Sequence, residues 1–573
     1  MNRTLRKPAL GAGLLLIALA GWAGADRARR TFWTTNDEPV HVASARELRS
    51  GPGLVSNQEH PVLMKLLAAA SLPPVSPAPI EETRSARRLF PVVFALLVLV
   101  AGAWTAARSG AAAGLGVAAL LAIDPGLRGH GALVTSDVLV TLFLVAAAAA
   151  LDLSFRRSTF DRASLVAGGV AYGLAMASKY SALPFLALFL PIAAFALWQR
   201  ATARTPPRRP RRTSRAVLKP VAVALTVFCL AACLTLALVQ MAAFARTDRD
   251  AFRRGVAAQF AGTGLERDAL SLTERFPPWL ASYATGLLWV RATSVPGERF
   301  NYFFGEVSGR GFPLYFPVAL ALKSPAPVVA ALAGGFAVAL GAGAARLRRR
   351  QATRRWRLVL AARSGFPAAV GLAYLAASVP SHLNIGVRHV FPVVPFLLVA
   401  LGGIAATQVA RRARTVLVAL VVLLAAAEAL PKLDREISFG NVFAGGNPGL
   451  PRYLSDSNVD WAQEQGRLFE RVAGGDLGRV GVVALYVDEA AASRVGILGQ
   501  VQDARAPVDT VFFSRHLWDL VPGLERDVEP WPKTAWARRT LVPLRRGLEA
   551  RAASIEPFRD TYMLLRLNPP TGP

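Results

Sequence analysis

Cysteine is almost absent from this chain, and acidic residues are scarce. The two cysteines, Cys229 and Cys233, lie four residues apart in one apolar stretch, which is typical of small buried side chains. This pair provides neither a disulfide framework nor a zinc-binding spacing. Aspartate and glutamate number 37 against 66 lysines and arginines. Charged residues make up only 18% of the chain, and the hydrophobic content of 53% excludes an ordinary soluble enzyme.

Hydrophobic residues are what the chain has in abundance. They make up 53% of its 573 residues, and the mean hydropathy is +0.36. Many hydrophobic runs are each about 20 residues long, the length at which a helix crosses a hydrocarbon core. The sequence therefore predicts an α-helical polytopic membrane protein with about eleven transmembrane helices, the first of them uncleaved. The predicted spans are 9–25, 89–107, 111–127, 133–154, 163–178, 181–199, 217–244, 317–344, 358–377, 390–409 and 414–430.

Orientation is predicted from the loops in which basic residues collect. Residues 200–219 and 346–363 each hold eight basic residues and no acid, and short loops of this kind stay in the cytoplasm. Counting helices from either loop places the N-terminus in the cytoplasm. It places the loops 26–88 and 245–316, and everything after 430, outside. We therefore predict a multi-pass protein of the cell (inner) membrane with an extracytoplasmic working face.

The net charge of +29 does not indicate that the protein binds nucleic acid. A pI near 11.3 would indicate one in a soluble domain. Here the basic blocks lie in short loops and lack the interleaved aromatic residues that stack on bases. The excess charge is explained by orientation and by contact with the lipid bilayer.

The sequence divides into a membrane domain, 1–430, and an extracytoplasmic domain, 431–573. The second part changes character, because short β-like runs replace long apolar ones. A helical pattern within 454–472 precedes them. We predict a small C-terminal α/β domain. Its predicted strands are 480–487, 510–513 and 561–567.

The first outer loop carries an unusual group of polar residues. Asp37 and His41 are spaced i, i+4 and share a face if the chain is helical from Glu38 onward. Helix capping explains this pattern as readily as chemistry, because Asp37 precedes a predicted helix start. Glu59 and His60 precede a second predicted helix in this loop. They are explained either as polar residues at the start of that helix or as ligands of a cation or phosphate.

Three further charges stand at predicted outer helix ends. Asp137 begins an apolar helix, which again fits capping. Lys179 interrupts two apolar runs, and Arg388 precedes another. Basic residues on the outer side oppose the positive-inside tendency, so both are candidates for an anionic ligand, with a snorkelling side chain as the alternative.

These residues also carry a family resemblance. Seven short motifs occur in one order along most of the chain. They are Asp37-Glu-Pro-x-His41, Glu59-His-Pro-x-Leu63, Thr135-Ser-Asp137, Ser178-Lys-Tyr-Ser181, Tyr315-Phe-Pro317 with Lys323, Asn384-Ile-Gly-x-Arg388 and Asp456-Ser-Asn-x-Asp-Trp461. Together they resemble bacterial glycosyltransferases of family 39, which are related to protein O-mannosyltransferases and to the aminoarabinose transferase of lipid A. Ala462 departs from the pattern, because relatives often have glycine there.

The resemblance implies a GT-C fold and a polyprenyl-phosphate-linked sugar donor. The acceptor would be a protein, a lipid or a glycan. The implied roles are as follows: Asp37 is the acid at the reaction centre with Glu38 beside it, Asp137 is a second catalytic acid, His60, Lys179 and Arg388 bind the donor phosphate, and Glu59 contacts a divalent metal cation in some relatives.

The chemistry of sugar transfer requires a set of this kind. A base takes the proton of the acceptor hydroxyl, while positive charge meets the departing phosphate. Asp37 as base predicts an inverting single displacement. The main rival is a membrane transporter or lipid-linked sugar flippase, which predicts charges at the bilayer midplane and inverted repeats. For the motif 456–461, packing and capping remain the alternative to a role in binding.

Overall fold

The computed structural model describes residues 3–51, 53–75, 78–154, 160–203, 210–348, 364–526 and 531–570. Helices dominate it up to residue 429, and each of the eleven predicted apolar runs contains one. The helices that correspond to these runs are α1 (Arg3–Thr31), α5 (Phe90–Ser109), α6 (Ala111–Ile123), α8 (Asp137–Ser154), α9 (Arg162–Ser178), α10 (Ala182–Ala203), α11 (Pro210–Phe244), α15 (Tyr315–Lys323) with α16 (Ala326–Arg348), α17 (Gly365–Ser378), α18 (Val393–Gln408) and α19 (Arg411–Ala429).

Seven helical stretches among the described residues are long and apolar enough to cross a membrane. They are Pro8–Thr31, Pro79–Ser109, Asp137–Ser154, Ala182–Gln199, Leu218–Phe244, Ala326–Ala345 and Arg411–Lys432. The other predicted spans are helices of fewer than 18 residues. The expectation of a multi-pass helical membrane protein is confirmed. Of the two basic loops that predict its orientation, residues 204–209 and 349–363 lie outside the described residues.

The boundaries of two predicted spans differ from the sequence pattern. The run 317–344 is broken after Lys323, where Ser324 is extended with a ψ of 148°. Pro325 explains the break, because proline disfavours the helical conformation in the residue before it. The run 133–154 becomes helical only at Asp137. Both changes place charged side chains at helix ends.

Close packing of the helices relies on small residues. A Cβ on Gly169 would lie 2.3 Å from the carbonyl oxygen of Phe228, and one on Gly173 would lie 2.5 Å from that of Ala232. The backbones of α9 and α11 therefore approach more closely than larger side chains would allow. Small residues serve this purpose at helix contacts in membranes, where the hydrophobic effect does not drive association.

The two outer loops fold mainly into short helices. Loop 26–88 contains α2 (Glu38–Ser50), α3 (Val62–Ser71) and α4 (Pro79–Ala86), and the small helix α7 (Pro125–His130) lies between α6 and α8. Loop 245–316 contains three helices and a hairpin. These are α12 (Arg249–Phe260), α13 (Glu266–Arg275), α14 (Pro278–Thr293), β1 (Asn301–Phe303) and β2 (Glu306–Ser308).

The C-terminal part contains a five-stranded sheet with the order β4-β3-β5-β7-β6. Its elements are α20 (Gly446–Gly449), α21 (Gln465–Ala473), β3 (Val480–Val483), α22 (Glu489–Arg494), β4 (Ile497–Gln500), β5 (Thr510–Ser514), α23 (Arg515–Arg526), α24 (Pro532–Arg551), β6 (Ala552–Phe558) and β7 (Tyr562–Leu567). Strand β3 is parallel to β4 and β5, whereas β7 is antiparallel to β5 and β6. The small α/β architecture is confirmed, and each predicted range contains a strand, although β3 ends at Val483 within the predicted range 480–487. The domain boundary at 430 stays a prediction.

Alternating side chains give this sheet two buried faces. Val511 and Phe513 pack with α23 and α24, while Phe512 packs with α21 and α22. The helix predicted within 454–472 begins only at Gln465. The preceding residues form turns, because Asp456 and Ala462 have positive φ angles of 57° and 69°, which a helix cannot accommodate.

Candidate active site

A cavity of about 580 Å³ lies between helix ends of the first 430 residues and the C-terminal sheet. Six of the seven site residues predicted from the sequence line it, and the seventh, Glu38, does not. The six are Asp37, Glu59, His60, Asp137, Lys179 and Arg388. Residues separated by up to about 350 positions thus meet at one place, and their roles stay predictions.

Asp37 occupies the position before helix α2, but within the described residues its side chain caps no backbone amide. Its carboxylate faces the cavity and is 31% exposed. One oxygen accepts a hydrogen bond from Arg388 Nη2 at 3.3 Å. The geometry therefore favours chemistry over helix capping at this position.

Glu38, the next residue, is fully buried and points elsewhere. It forms an ion pair with Arg87, whose side chain is also fully buried. Its oxygens accept further hydrogen bonds at 2.9 Å from the Thr35 amide and hydroxyl and from the Val134 amide. Burial opposes ionisation, but Arg87 and the backbone donors hold the pKa of Glu38 below its usual value. These contacts fit a residue that fixes the first outer loop against the start of α8.

Asp137, Lys179 and Arg388 form a compact charged cluster. Lys179 Nζ lies 2.5 Å from one oxygen of Asp137, and Arg388 Nη1 lies 3.5 Å from the other. Arg388 thereby bridges Asp137 and Asp37. Although burial works against its charge, the two carboxylates raise the pKa of Arg388. Asp137 is only 1% exposed, and its carboxylate faces both cations at the edge of the cavity.

Two histidines that line the cavity, His60 and His389, have pKa values well below the usual one. Burial lowers the pKa of His60 well below its usual value, and the nearby His41 and Lys65 lower it further. His389 is affected in the same way by burial and then by Lys179. A neutral imidazole can donate a hydrogen bond to a phosphate oxygen without adding charge. His41 stacks edge-on against His60 at 4.8 Å.

Glu59 stands without a surrounding cluster of metal-ligating side chains in the part of the chain that the structure describes. Its nearest charged neighbour is a cation, Arg299, at 3.9 Å. Within the described ranges, no group of three or more histidine, cysteine, aspartate or glutamate side chains is placed to hold a metal. Structural metal sites are built from such groups.

The C-terminal domain closes the other side of the cavity. Residues 484–486 follow strand β3, Ser514 ends the parallel strand β5 and His516 comes just after it, and all of them line the cavity. The sequence reasoning missed Ser514 and Lys533. The position of Ser514 was detectable in principle, because ligands bind at the carboxyl ends of parallel strands. Lys533 lies at the start of a helix, and no pattern marks it.

Comparisons with known proteins agree with the predicted resemblance. Residues 78–245 match the model of a family described as dolichyl-phosphate-mannose-protein mannosyltransferase. This range includes Asp137 and Lys179. The match confirms the resemblance over that range and supports the predicted class of enzyme, a glycosyltransferase that uses a lipid-linked sugar. No match was found among curated protein sequences.

Several solved structures are similar over much of the chain. ArnT from Cupriavidus metallidurans, bound to undecaprenyl phosphate, is 13% identical, with a TM-score of 0.43, over 96% of this chain and 97% of that one. The apo oligosaccharyltransferase of Archaeoglobus fulgidus is 12% identical, with a TM-score of 0.48, over 97% and 74%. A donor-bound protein O-mannosyltransferase complex of S. cerevisiae is 20% identical, with a TM-score of 0.35, over 43% and 35%. With TM-scores below 0.5, these similarities carry no argument about this chain's residues.

Proposed function

We propose that this protein transfers a sugar from a polyprenyl-phosphate donor to an acceptor hydroxyl at the extracytoplasmic face of the membrane. One observation carries the proposal. Asp37 presents an accessible carboxylate to the cavity, directly beside the cationic cluster of Lys179 and Arg388. A base and a phosphate-binding site in one cavity are the two requirements of this transfer. The family match over 78–245 supports the same class of donor.

Asp37 acts as the general base in the proposed mechanism. It accepts the proton of the acceptor hydroxyl while the acceptor oxygen forms a bond to the anomeric carbon. The bond between that carbon and the phosphate oxygen breaks, and its electron pair leaves with the phosphate. A single displacement of this kind inverts the anomeric configuration.

Arg388 and Lys179 neutralise the charge of the departing phosphate. The phosphate is already a good leaving group, so the mechanism requires cations rather than an acid that protonates it. Asp137 keeps both cations in place through its two oxygens. His60 is placed to donate a hydrogen bond to the phosphate in its neutral form.

The variant Asp37→Asn tests the role of the base. We expect it to lower turnover by about 10²- to 10⁴-fold, the usual contribution of a general base, while its melting temperature stays near that of the wild type. The measurement is release of polyprenyl phosphate by purified protein from a panel of polyprenyl-phosphate sugars, with and without chelator. Near-normal turnover of the variant would remove Asp37 from the reaction.

Asp248→Asn is the matched control for this variant. Asp248 does cap a helix, because its carboxylate accepts a hydrogen bond from the Ala251 amide at 2.7 Å. Asparagine caps equally well, so this variant should keep full activity. The anomeric configuration of the product tests the displacement, and retention would contradict it. Uptake of substrate into proteoliposomes without transfer would favour the transporter instead.

A further inference from the structure

We infer that the turn 456–461, at the entrance to the C-terminal α/β domain, positions Arg388 for the donor phosphate, with Trp461 and Ser457 as positioning residues. This inference rests on the proposed function. The sequence motif Asp456-Ser-Asn-x-Asp-Trp461 left packing and capping as an alternative. The contacts of the turn assign it a more specific task.

The turn contacts the Arg388 side chain in two ways. The guanidinium carbon lies 4.2 Å from the centre of the Trp461 ring, which is a cation–π contact. Arg388 Nε donates a hydrogen bond to Ser457 Oγ at 3.2 Å. The terminal nitrogens then face Asp37 and Asp137. The turn therefore fixes the plane of the guanidinium and its direction.

The same turn also holds the backbone that carries Arg388. The Asn458 side-chain oxygen accepts a hydrogen bond from the Val387 amide at 3.0 Å. Ser457 Oγ donates to the Ile385 carbonyl at 2.6 Å. A Cβ on Gly386 would lie only 2.1 Å from Ser457 Oγ. The turn therefore packs closely against residues 385–387 and fixes the backbone that precedes Arg388.

The turn is itself anchored from both halves of the molecule. Lys323 Nζ donates to the carbonyl oxygen of Asn458 at 2.6 Å, which ties the turn to the membrane helices. His516, at the start of α23, accepts a hydrogen bond from the Asp456 amide at 3.0 Å. A displacement of the C-terminal domain would therefore move the turn and, with it, the Arg388 side chain. The domain contributes to donor binding through this arginine.

Binding of undecaprenyl phosphate to the purified full-length protein tests the inference. We expect Trp461→Ala to weaken binding and to raise the KM of the lipid-linked donor by about tenfold, the range of a desolvated cation–π contact. Trp461→Phe should restore most of the affinity, because a phenyl ring still presents an aromatic face. Trp536→Ala removes an exposed tryptophan of the same domain and should leave binding unchanged.

A double-mutant cycle separates positioning from a general structural role. Alanine leaves the Trp461 ring no cation to hold, so Trp461→Ala should change binding less than twofold in an Arg388→Ala background. The same tenfold loss in both backgrounds would overturn the inference, as would unchanged binding in the wild-type background. If Trp461→Ala does not fold, Ser457→Ala takes its place in the same double-mutant cycle and tests the same positioning of Arg388. A wild-type protein that does not bind the lipid phosphate would instead refute the proposed donor.

Discussion

At the scale of single residues, Asp37 and Glu38 show how neighbours in sequence acquire different roles. The side chain of Asp37 is 31% exposed and opens into the cavity. That of Glu38 is fully enclosed with Arg87. The resemblance placed both acids at the reaction centre, but only Asp37 can reach a substrate in this arrangement. Glu38 has its oxygens occupied by the protein itself.

Glu38→Ala should therefore reduce stability. Removing one partner of a buried ion pair leaves the other charge uncompensated, which costs about 3–5 kcal/mol. We expect a clearly lower melting temperature in detergent. Glu81→Ala is the matched control, because Glu81 pairs with Arg84 in an exposed setting and such pairs contribute about 0–1 kcal/mol. Equal melting temperatures for the two variants would contradict the structural role of Glu38.

At the scale of elements, the turn at the entrance to the C-terminal domain carries a carboxyl group in unusual surroundings. Asp460 accepts hydrogen bonds from the Ser514 hydroxyl and from the Ala462 amide. Burial raises its pKa to about 6, and the nearby Glu464 and Asp456 add to the effect. The folded protein thus binds a proton at Asp460 more readily than the unfolded chain does.

This raised pKa makes a prediction about stability and pH. The contribution of Asp460 is fully present below its unfolded pKa of about 4 and is lost as pH rises to about 6. Asp460→Asn removes the titration, so its melting temperature relative to the wild type should rise between about pH 4 and 6 and then stay constant. Thermal unfolding measured from pH 4 to 8 checks this. Parallel curves for the two proteins would contradict the raised pKa.

The same turn shows what sequence reasoning can and cannot predict. The apolar runs predicted the long helices, because their length is set by the membrane. The strands β3, β5 and β7 followed from short runs rich in apolar and aromatic residues. The helix expected within 454–472 begins only at Gln465, because the i, i+7 spacing of Trp461 and Leu468 does not report the positive φ of Asp456 or Ala462. The left-handed conformation of Ala462 is consistent with the glycine that relatives often have there.

In the candidate site, too, some features could be predicted from the sequence and others could not. Asp37, Asp137, Lys179 and Arg388 were predictable because charges at apolar helix ends are costly and therefore stand out. The burial of Glu38 depends on Arg87, 49 residues away. A long-range partner of this kind is set by tertiary packing, and local spacing contains no signal for it.

At the scale of the whole molecule, the C-terminal domain and the second outer loop close around the cavity. Lys533 pairs with Glu298 at 2.6 Å, and Arg526 donates a hydrogen bond to the Gly305 carbonyl, also at 2.6 Å. The backbone amide of the hairpin residue Phe304 donates a hydrogen bond to the carbonyl oxygen of Tyr453. All of these groups must lie on one side of the membrane. The architecture therefore makes the predicted orientation testable with a few positions.

Cysteine labelling should place the cavity outside the cell membrane. The two natural cysteines, Cys229 and Cys233, are first replaced by alanine, and single cysteines are introduced at exposed positions. Ser50→Cys lies in the first outer loop and Ser493→Cys in α22, while Ala410→Cys stands beside the basic start of α19. A membrane-impermeant maleimide should label the first two in intact cells and the third only after permeabilisation, because basic loops stay inside. Labelling of Ala410→Cys in intact cells, or protection of Ser493→Cys, would reverse the orientation and place the proposed reaction in the cytoplasm.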